Sequence, residues 1–281
     1  MTKLVIVLCA FAIQLVTGAY YLPGISPQTY QQHDPVKLFV TKLTSTKTQA
    51  PYDYYSLPYC KPALLDLQKE NLGQVISGDR IEASTYKLET KVPKACEVAC
   101  VVKLTKAGAT SFIRAVDEEY RVHWVVDNLP VGMFNTNADR ETVFSRGFPV
   151  GFHTGPAKKQ FKHYIYNHVR IIIQYHDDKG DSEDVTTKIV GFRVEPMSIK
   201  HTWEGDDFKE GTTVLKTCNS QTPPTNDPKN YMSVDKIGET VVFSYDVFWE
   251  KSDTEWTSRW DAYLLANAPN DKVCQSRLHI R

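Results

Sequence analysis

The chain has 281 residues, with 33 basic and 33 acidic side chains, a formal net charge of +0 and 42% hydrophobic residues. That balance leaves no basic excess to condense on phosphate, which argues against nucleic acid as a partner. The length allows a core large enough that disulfides need not carry the fold alone.

The N-terminus sets the first expectation. Met1-Thr2-Lys3 is a short positive start, Leu4 to Val16 is apolar but for Gln14, and Thr17, Gly18 and Ala19 are small. This is the pattern of a signal peptide over residues 1–19, cut after Gly18 or Ala19. As a helix the apolar run reaches only about 20 Å, short of the roughly 30 Å of hydrocarbon in a bilayer. The later apolar runs, Val169 to Ile173 and Val241 to Phe243, have strand length, so no later segment of this sequence is expected to span a membrane.

Strand patterns of period two follow. Val36, Leu38 and Val40 share one face. Over Tyr120 to Asp127, Tyr120, Val122, Trp124 and Val126 face one way, and Arg121, His123 and Asp127 the other. Val169, Ile171, Ile173 and Tyr175 oppose His168, Arg170, Ile172, Gln174 and His176. Val241, Phe243, Tyr245, Val247 and Trp249 line up. Asp177 to Asp181 reads as a hairpin tip, with Gly180 free to take positive φ. A helix is expected over Ala107 to Glu119, with Phe112, Ile113 and Val116 as its apolar stripe, and a weaker one over Pro62 to Lys69. Thr222 to Pro228 is a loop. The fold class that results is mainly β: an antiparallel β-sandwich, in one or two subdomains, with one or two short helices.

Beyond Cys9 the cysteines are Cys60, Cys96, Cys100, Cys218 and Cys274, an odd number for an oxidising lumen. Cys60, Cys96, Cys100 and Cys218 are the candidates for structural disulfides, with Cys274 left over. Fully extended, residues 96 and 100 stand about 13 Å apart. That is too far to bridge, so either a turn joins them or each pairs with Cys60 or Cys218. No Asn-X-Ser/Thr sequon occurs.

Searches for chemistry return nothing specific. His163 and His168 fall on opposite faces of a continuous strand, and His168 and His176 are about 26 Å apart along one. His153, His201 and His279 have no partner at ligand spacing, so no metal site is expected. A pH-sensing histidine remains compatible with an acidified lumen. The acidic cluster Asp177, Asp178, Asp181, Glu183 and Asp184 lacks the order of a calcium loop and reads as a solvated tip. Neither a Gly-X-Ser-X-Gly elbow nor a phosphate-binding glycine loop is present. No catalytic residue, cofactor or metal is therefore expected.

A series of separated motifs carries a resemblance. It comprises Tyr21-Leu22-Pro23-Gly24, Leu43-Thr44-Ser45, Pro51-Tyr52-Asp53-Tyr54-Tyr55-Ser56-Leu57-Pro58-Tyr59-Cys60, Glu70-Asn71-Leu72-Gly73 and Gly78-Asp79-Arg80-Ile81. Cys96 and Cys100, Asn167-His168, Val190-Gly191-Phe192, Val194-Glu195-Pro196 and Ser198 to His201 continue it, and Ser258-Arg259-Trp260-Asp261-Ala262-Tyr263-Leu264 ends it. Over residues 20–264 this resembles the N-terminal luminal domain of the nonaspanins, the transmembrane 9 superfamily, and most of all its larger members, 2 and 4. Ala50, Tyr59 and Gln74 stand where the family has Leu, Phe and Glu. Beyond Leu264 the family continues into nine transmembrane helices, whereas residues 265–281 are a polar tail outside the resemblance.

The resemblance implies a non-enzymatic luminal domain of Golgi and endosomal membrane proteins, linked to sorting and localisation of membrane proteins. Its partners would be other membrane or luminal proteins, and its own transmembrane region in a full-length form. Ser258, Arg259, Trp260 and Asp261 would then lie next to the membrane, with Trp260 as an interfacial anchor. Two other readings stand beside it: a carbohydrate-binding or carbohydrate-processing β-sandwich, and a truncated soluble form without a function of its own.

Overall fold

The computed structural model describes residues 27–63, 81–136, 142–156, 160–179, 185–205, 213–219 and 221–261, with 208, 211 and 263. The signal segment 1–19, most of the expected helix over Pro62 to Lys69, the hairpin tip 180–184, Cys274 and the tail 265–281 lie outside them. Among the described residues no helix is long and apolar enough to cross a membrane.

The chain is mainly β. In order it forms β1 (Pro35–Thr44), β2 (Tyr52–Asp53), β3 (Glu82–Glu89), β4 (Lys94–Lys103), α1 (Lys106–Asp117), β5 (Arg121–Val126), β6 (Leu129–Pro130), β7 (Gly132–Thr136) and β8 (Thr142–Arg146). Then come β9 (Phe148–Pro149), β10 (Gly151–Thr154), β11 (Lys162–Ile165), β12 (His168–Lys179), β13 (Val185–Met197) and β14 (Thr240–Lys251). One sheet runs β2-β1-β5-β6, with β3 on β1 and β9 on β5, and the other runs β4-β14-β12-β13-β7-β8. Strands β10 and β11 make a separate pair.

The two large sheets bury their apolar faces against each other. Val36, Leu38, Val40, Val122, Trp124 and Val126 from the first meet Val169, Ile171, Ile173, Val241, Phe243, Tyr245 and Val247 from the second. Tyr86 bridges them, its ring 4.7 Å from Trp124 and 5.1 Å from Tyr245. The Tyr245 hydroxyl accepts the Lys87 N–H at 3.1 Å. Period-two alternation thus places every second side chain of these strands in one core, as the pleat requires. The helix expected over 107–119 appears as α1. Thr105 caps it, accepting the Gly108 N–H through its side chain.

Three features depart from the strand patterns. The second sheet is mixed rather than antiparallel: β12 pairs with β14 in parallel, His168 opposite Ser244, and β13 pairs with β7 in parallel. The long connection from residue 198 to 239 lets β14 return beside β12 in the same direction. That connection also covers the second sheet's outer face, so β14 is buried on both faces from Val241 to Val247. Asn167 fastens it there: its amide donates to the Ile199 and Val242 carbonyls and accepts the Ile199 N–H. Finally, Asp127 is buried rather than facing solvent. Asp127 (φ 47°) and Asn128 (φ 62°) form the two-residue turn between β5 and β6, which points the carboxylate inward.

Candidate functional site

Two disulfides order the four cysteines. Cys60 joins Cys100 and Cys96 joins Cys218, each with Cα atoms 5.6 Å apart. The first ties the end of the Tyr-rich segment to strand β4, and the second ties the 198–239 connection to the same strand. Cys96 takes positive φ (54°), and its N–H donates to Asp246 Oδ1 at 2.7 Å.

The Tyr-rich segment packs on α1 and frames an open cavity of about 160 Å³. Its apolar floor is Leu43, Leu57 and Ala115. Tyr52 and Tyr120, with ring centroids 5.3 Å apart, form one wall. Ser111, Arg114, Ala115 and Glu118 line it from α1 at helical spacing, so one helix face serves the core and the next serves the cavity. Arg114 Nε donates to Glu118 Oε1 at 2.9 Å, and its guanidinium lies 5.9 Å from the Tyr52 ring centroid. The Tyr120 hydroxyl is held by Thr48 Oγ1 at 2.7 Å and the Ala50 carbonyl at 2.8 Å, which orients this ring. Glu118 Oε2 is buried and has no hydrogen-bond partner among the described residues. A buried acceptor left open costs about 1–3 kcal/mol, more when charged, so the cavity offers a real gain to a donor that reaches it.

The Ser258–Asp261 segment is anchored to the core through Arg259. Arg259 is 2% exposed. Its Nη1 donates to Asp127 Oδ2 at 2.8 Å and to the Ile189 carbonyl at 3.2 Å, and its guanidinium sits 4.3 Å from the Trp256 ring centroid. Burial pushes the Asp127 carboxyl up to about 6, although Arg259 opposes the shift. Trp260 is half-buried and packs against the core, its ring 5.5 Å from that of Tyr263. Ser258 and Asp261 are exposed.

A buried polar chain crosses the outer face of the second sheet. Asp246 Oδ2 lies 3.3 Å from His168 Nε2. His168 Nδ1 bonds Ser244 Oγ at 2.8 Å, Ser244 Oγ bonds His201 Nε2 at 2.9 Å, and His201 Nδ1 bonds Thr217 Oγ1 at 2.9 Å. His168 and His201, without a partner by sequence spacing, are therefore neighbours, because parallel pairing and the covering connection bring them together. Burial, then the adjacent His168, drives the His201 imidazole down to about 3. An Asp-His-Ser order invites comparison with a hydrolase triad. Here, however, the ring nitrogens are exchanged relative to that arrangement, and all three side chains lie under the connection, with Ser244 1% exposed. Two further histidines are held by neighbours: His163 stands between Asp235 (3.0 Å) and Asp117 (3.2 Å), and His176 Nδ1 bonds the Ser252 carbonyl. Asp177 and Asp178, from the acidic tip, hold Lys91 and Lys188.

Comparison with known proteins shows the family. The Endomembrane protein 70 family matches residues 51–279, a range that runs beyond Leu264. Transmembrane 9 superfamily member 10 of Arabidopsis thaliana is 39% identical over 91% of this chain and 40% of its own length. Member 4 of Homo sapiens is 35% identical over 92% of this chain and 40% of its own. Arabidopsis thaliana member 12 is 32% identical over 92% and 42%. The chain thus spans about 40% of the length of these curated relatives. With the family matched over most of the sequence, the chain belongs to the Endomembrane protein 70 family, in the company of transmembrane 9 superfamily proteins.

Proposed function

We propose that this domain is a non-enzymatic recognition module on the luminal side of Golgi and endosomal membranes. As part of a longer membrane protein, it helps sort or localise other membrane proteins by binding their luminal segments. The observation that carries this reading is the cavity between the Tyr-rich segment and α1, lined by Tyr52, Leu57, Glu118 and Tyr120, with one Glu118 oxygen left without a hydrogen-bond partner among the described residues. Its size suits one side chain, and its chemistry suits a lysine or arginine that shares the Glu118 carboxylate with Arg114, with aromatic walls for the cation and its stem. Ser258 to Asp261 is then where the chain leaves the domain toward the membrane.

The test is site-specific photocrosslinking from position 52 in cells, followed by mass spectrometry. Crosslinks to luminal segments of membrane proteins, through basic residues and weakened at least fivefold by Glu118→Gln, are the expected result. Crosslinks unchanged by Glu118→Gln would reject this cavity as the binding site. A glycan array run with the same protein covers the carbohydrate reading, which the exposed Tyr52 beside Arg114 and Glu118 favours. Specific glycan binding lost in Tyr52→Ala would replace the protein-segment reading.

A further inference from the structure

We propose that the Cys96–Cys218 pair has a second state, in which its two thiolates and the imidazole of His168 hold one zinc ion. The ligand atoms of Cys96, His168 and Cys218 all lie within 4.8 Å of one another, and Cys218 Sγ is 3.8 Å from His168 Nδ1. Tetrahedral zinc, with bonds of about 2.0–2.3 Å, holds its ligand atoms roughly 3.5–3.8 Å apart. The three donors are therefore gathered at zinc scale once the bond between the sulfurs is opened. Among the described residues, the Cys60–Cys100 disulfide has no such third donor beside it.

The surroundings match what zinc requires. Two thiolates and an imidazole are a zinc donor set. The site is largely shielded, with His168 0% and Cys218 1% exposed and Cys96 half-buried. Asp246 supports two of the three ligands: one oxygen sits 3.3 Å from the far nitrogen of His168 and the other accepts the Cys96 N–H. A carboxylate behind a ligating histidine fixes the ring and raises its basicity. The charges also close. Two thiolates neutralise the dication, and Arg170, with Nε 3.7 Å from Asp246, faces the remaining carboxylate. In the disulfide state His168 Nδ1 bonds Ser244 Oγ; zinc takes over that nitrogen, and Ser244 keeps its bond to His201.

The conversion balances with a dithiol reductant of the thioredoxin class. Two electrons and two protons pass from the dithiol, which becomes a disulfide, and Cys96 and Cys218 become thiols. Zinc binding then releases those two protons to solvent. The same two residues thus either staple the connection to β4 covalently or hold it through a metal.

The experiment uses the chain produced by secretory expression, with Co²⁺ as a spectroscopic stand-in and Zn²⁺ as competitor. The oxidised protein is expected to bind no Co²⁺. After mild reduction it should bind one equivalent, with thiolate-to-cobalt charge transfer and tetrahedral d–d bands, both erased by Zn²⁺. Cys60→Ser/Cys100→Ser should keep the signal, and His168→Asn should weaken binding at least tenfold. Because His168→Asn threatens folding, alkylation mapping of the reduced wild type gives an independent readout. Zn²⁺ should slow modification of Cys96 and Cys218 more than tenfold, but not that of Cys60 and Cys100. Absence of Co²⁺ binding after reduction, or equal protection of all four thiols, would overturn the proposal.

Discussion

Arg259 and Asp127, 132 residues apart in sequence, form an ion pair at 2.8 Å with both side chains 1% exposed. The pair joins the last described segment of the chain to the turn between β5 and β6. A buried pair adds little net stability over apolar side chains, but removing one member strands the other charge. Arg259→Met is therefore expected to cost about 3–5 kcal/mol. Arg259→Met/Asp127→Asn, which removes the charge and keeps a residue that accepts the positive φ, should recover much of that loss. Urea unfolding of the three proteins measures both, and a double variant as weak as the single one contradicts the assignment.

The pH dependence carries two opposed contributions. The folded Asp127 keeps its proton up to about pH 6, while the unfolded carboxyl releases it near 3.8. Its contribution is full below that lower value and is lost as pH rises through about 6. The unfolded His201 binds a proton below 6.5, and the folded ring stays neutral down to about 3. Its contribution is present above 6.5 and falls as pH drops toward 3. Asp127→Asn should therefore make stability fall more steeply on acidification from pH 6 to 4, and His201→Gln less steeply. The readout is the slope of unfolding free energy against pH, since both changes also shift its absolute value.

Disulfide removal should scale with the loop each bridge closes. The Cys60–Cys100 loop spans 40 residues and the Cys96–Cys218 loop 122. Loop-closure entropy gives about 4 and about 5 kcal/mol respectively. Cys60→Ser and Cys218→Ser, compared by denaturation under non-reducing conditions, should both be severe, with Cys218→Ser the worse. Non-reducing peptide mapping should recover these two pairs, and a Cys96–Cys100 peptide would contradict the connectivity.

The end of α1 offers a stabilising change. Glu119 takes positive φ (54°) at the position where helices favour glycine, and the Tyr120 N–H returns to the Ala115 carbonyl at 2.9 Å. Its ion pair with Lys47 is exposed and worth little. Glu119→Gly should add about 0.5–1 kcal/mol, seen as a higher denaturation midpoint. A lower midpoint would show that the Lys47 contact outweighs the backbone strain.

Much of this protein was legible before folding. The alternations at Val36 to Val40, Tyr120 to Val126, Val169 to Ile173 and Val241 to Val247 mark real strands, and the apolar stripe of Phe112 and Val116 marks the real helix. The Tyr-rich motif that carried the family resemblance is also the segment that builds the cavity with α1. These are local properties: a period of two or 3.6 is set by the backbone that carries it, so the sequence alone suffices.

The pairings were not local. Cys96 meeting Cys218, His168 beside His201 and the second covered face of β14 follow the connection that returns the chain to lie parallel to β12, while Cys60 on Cys100 and Arg259 on Asp127 are further long-range pairings. Spacing rules measure distance along a strand or helix, and that measure loses meaning once a long connection folds back over the sheet. Composition and periodicity therefore settled a mainly β protein, whereas three-dimensional packing alone chose its staples, its buried charges and its cavity.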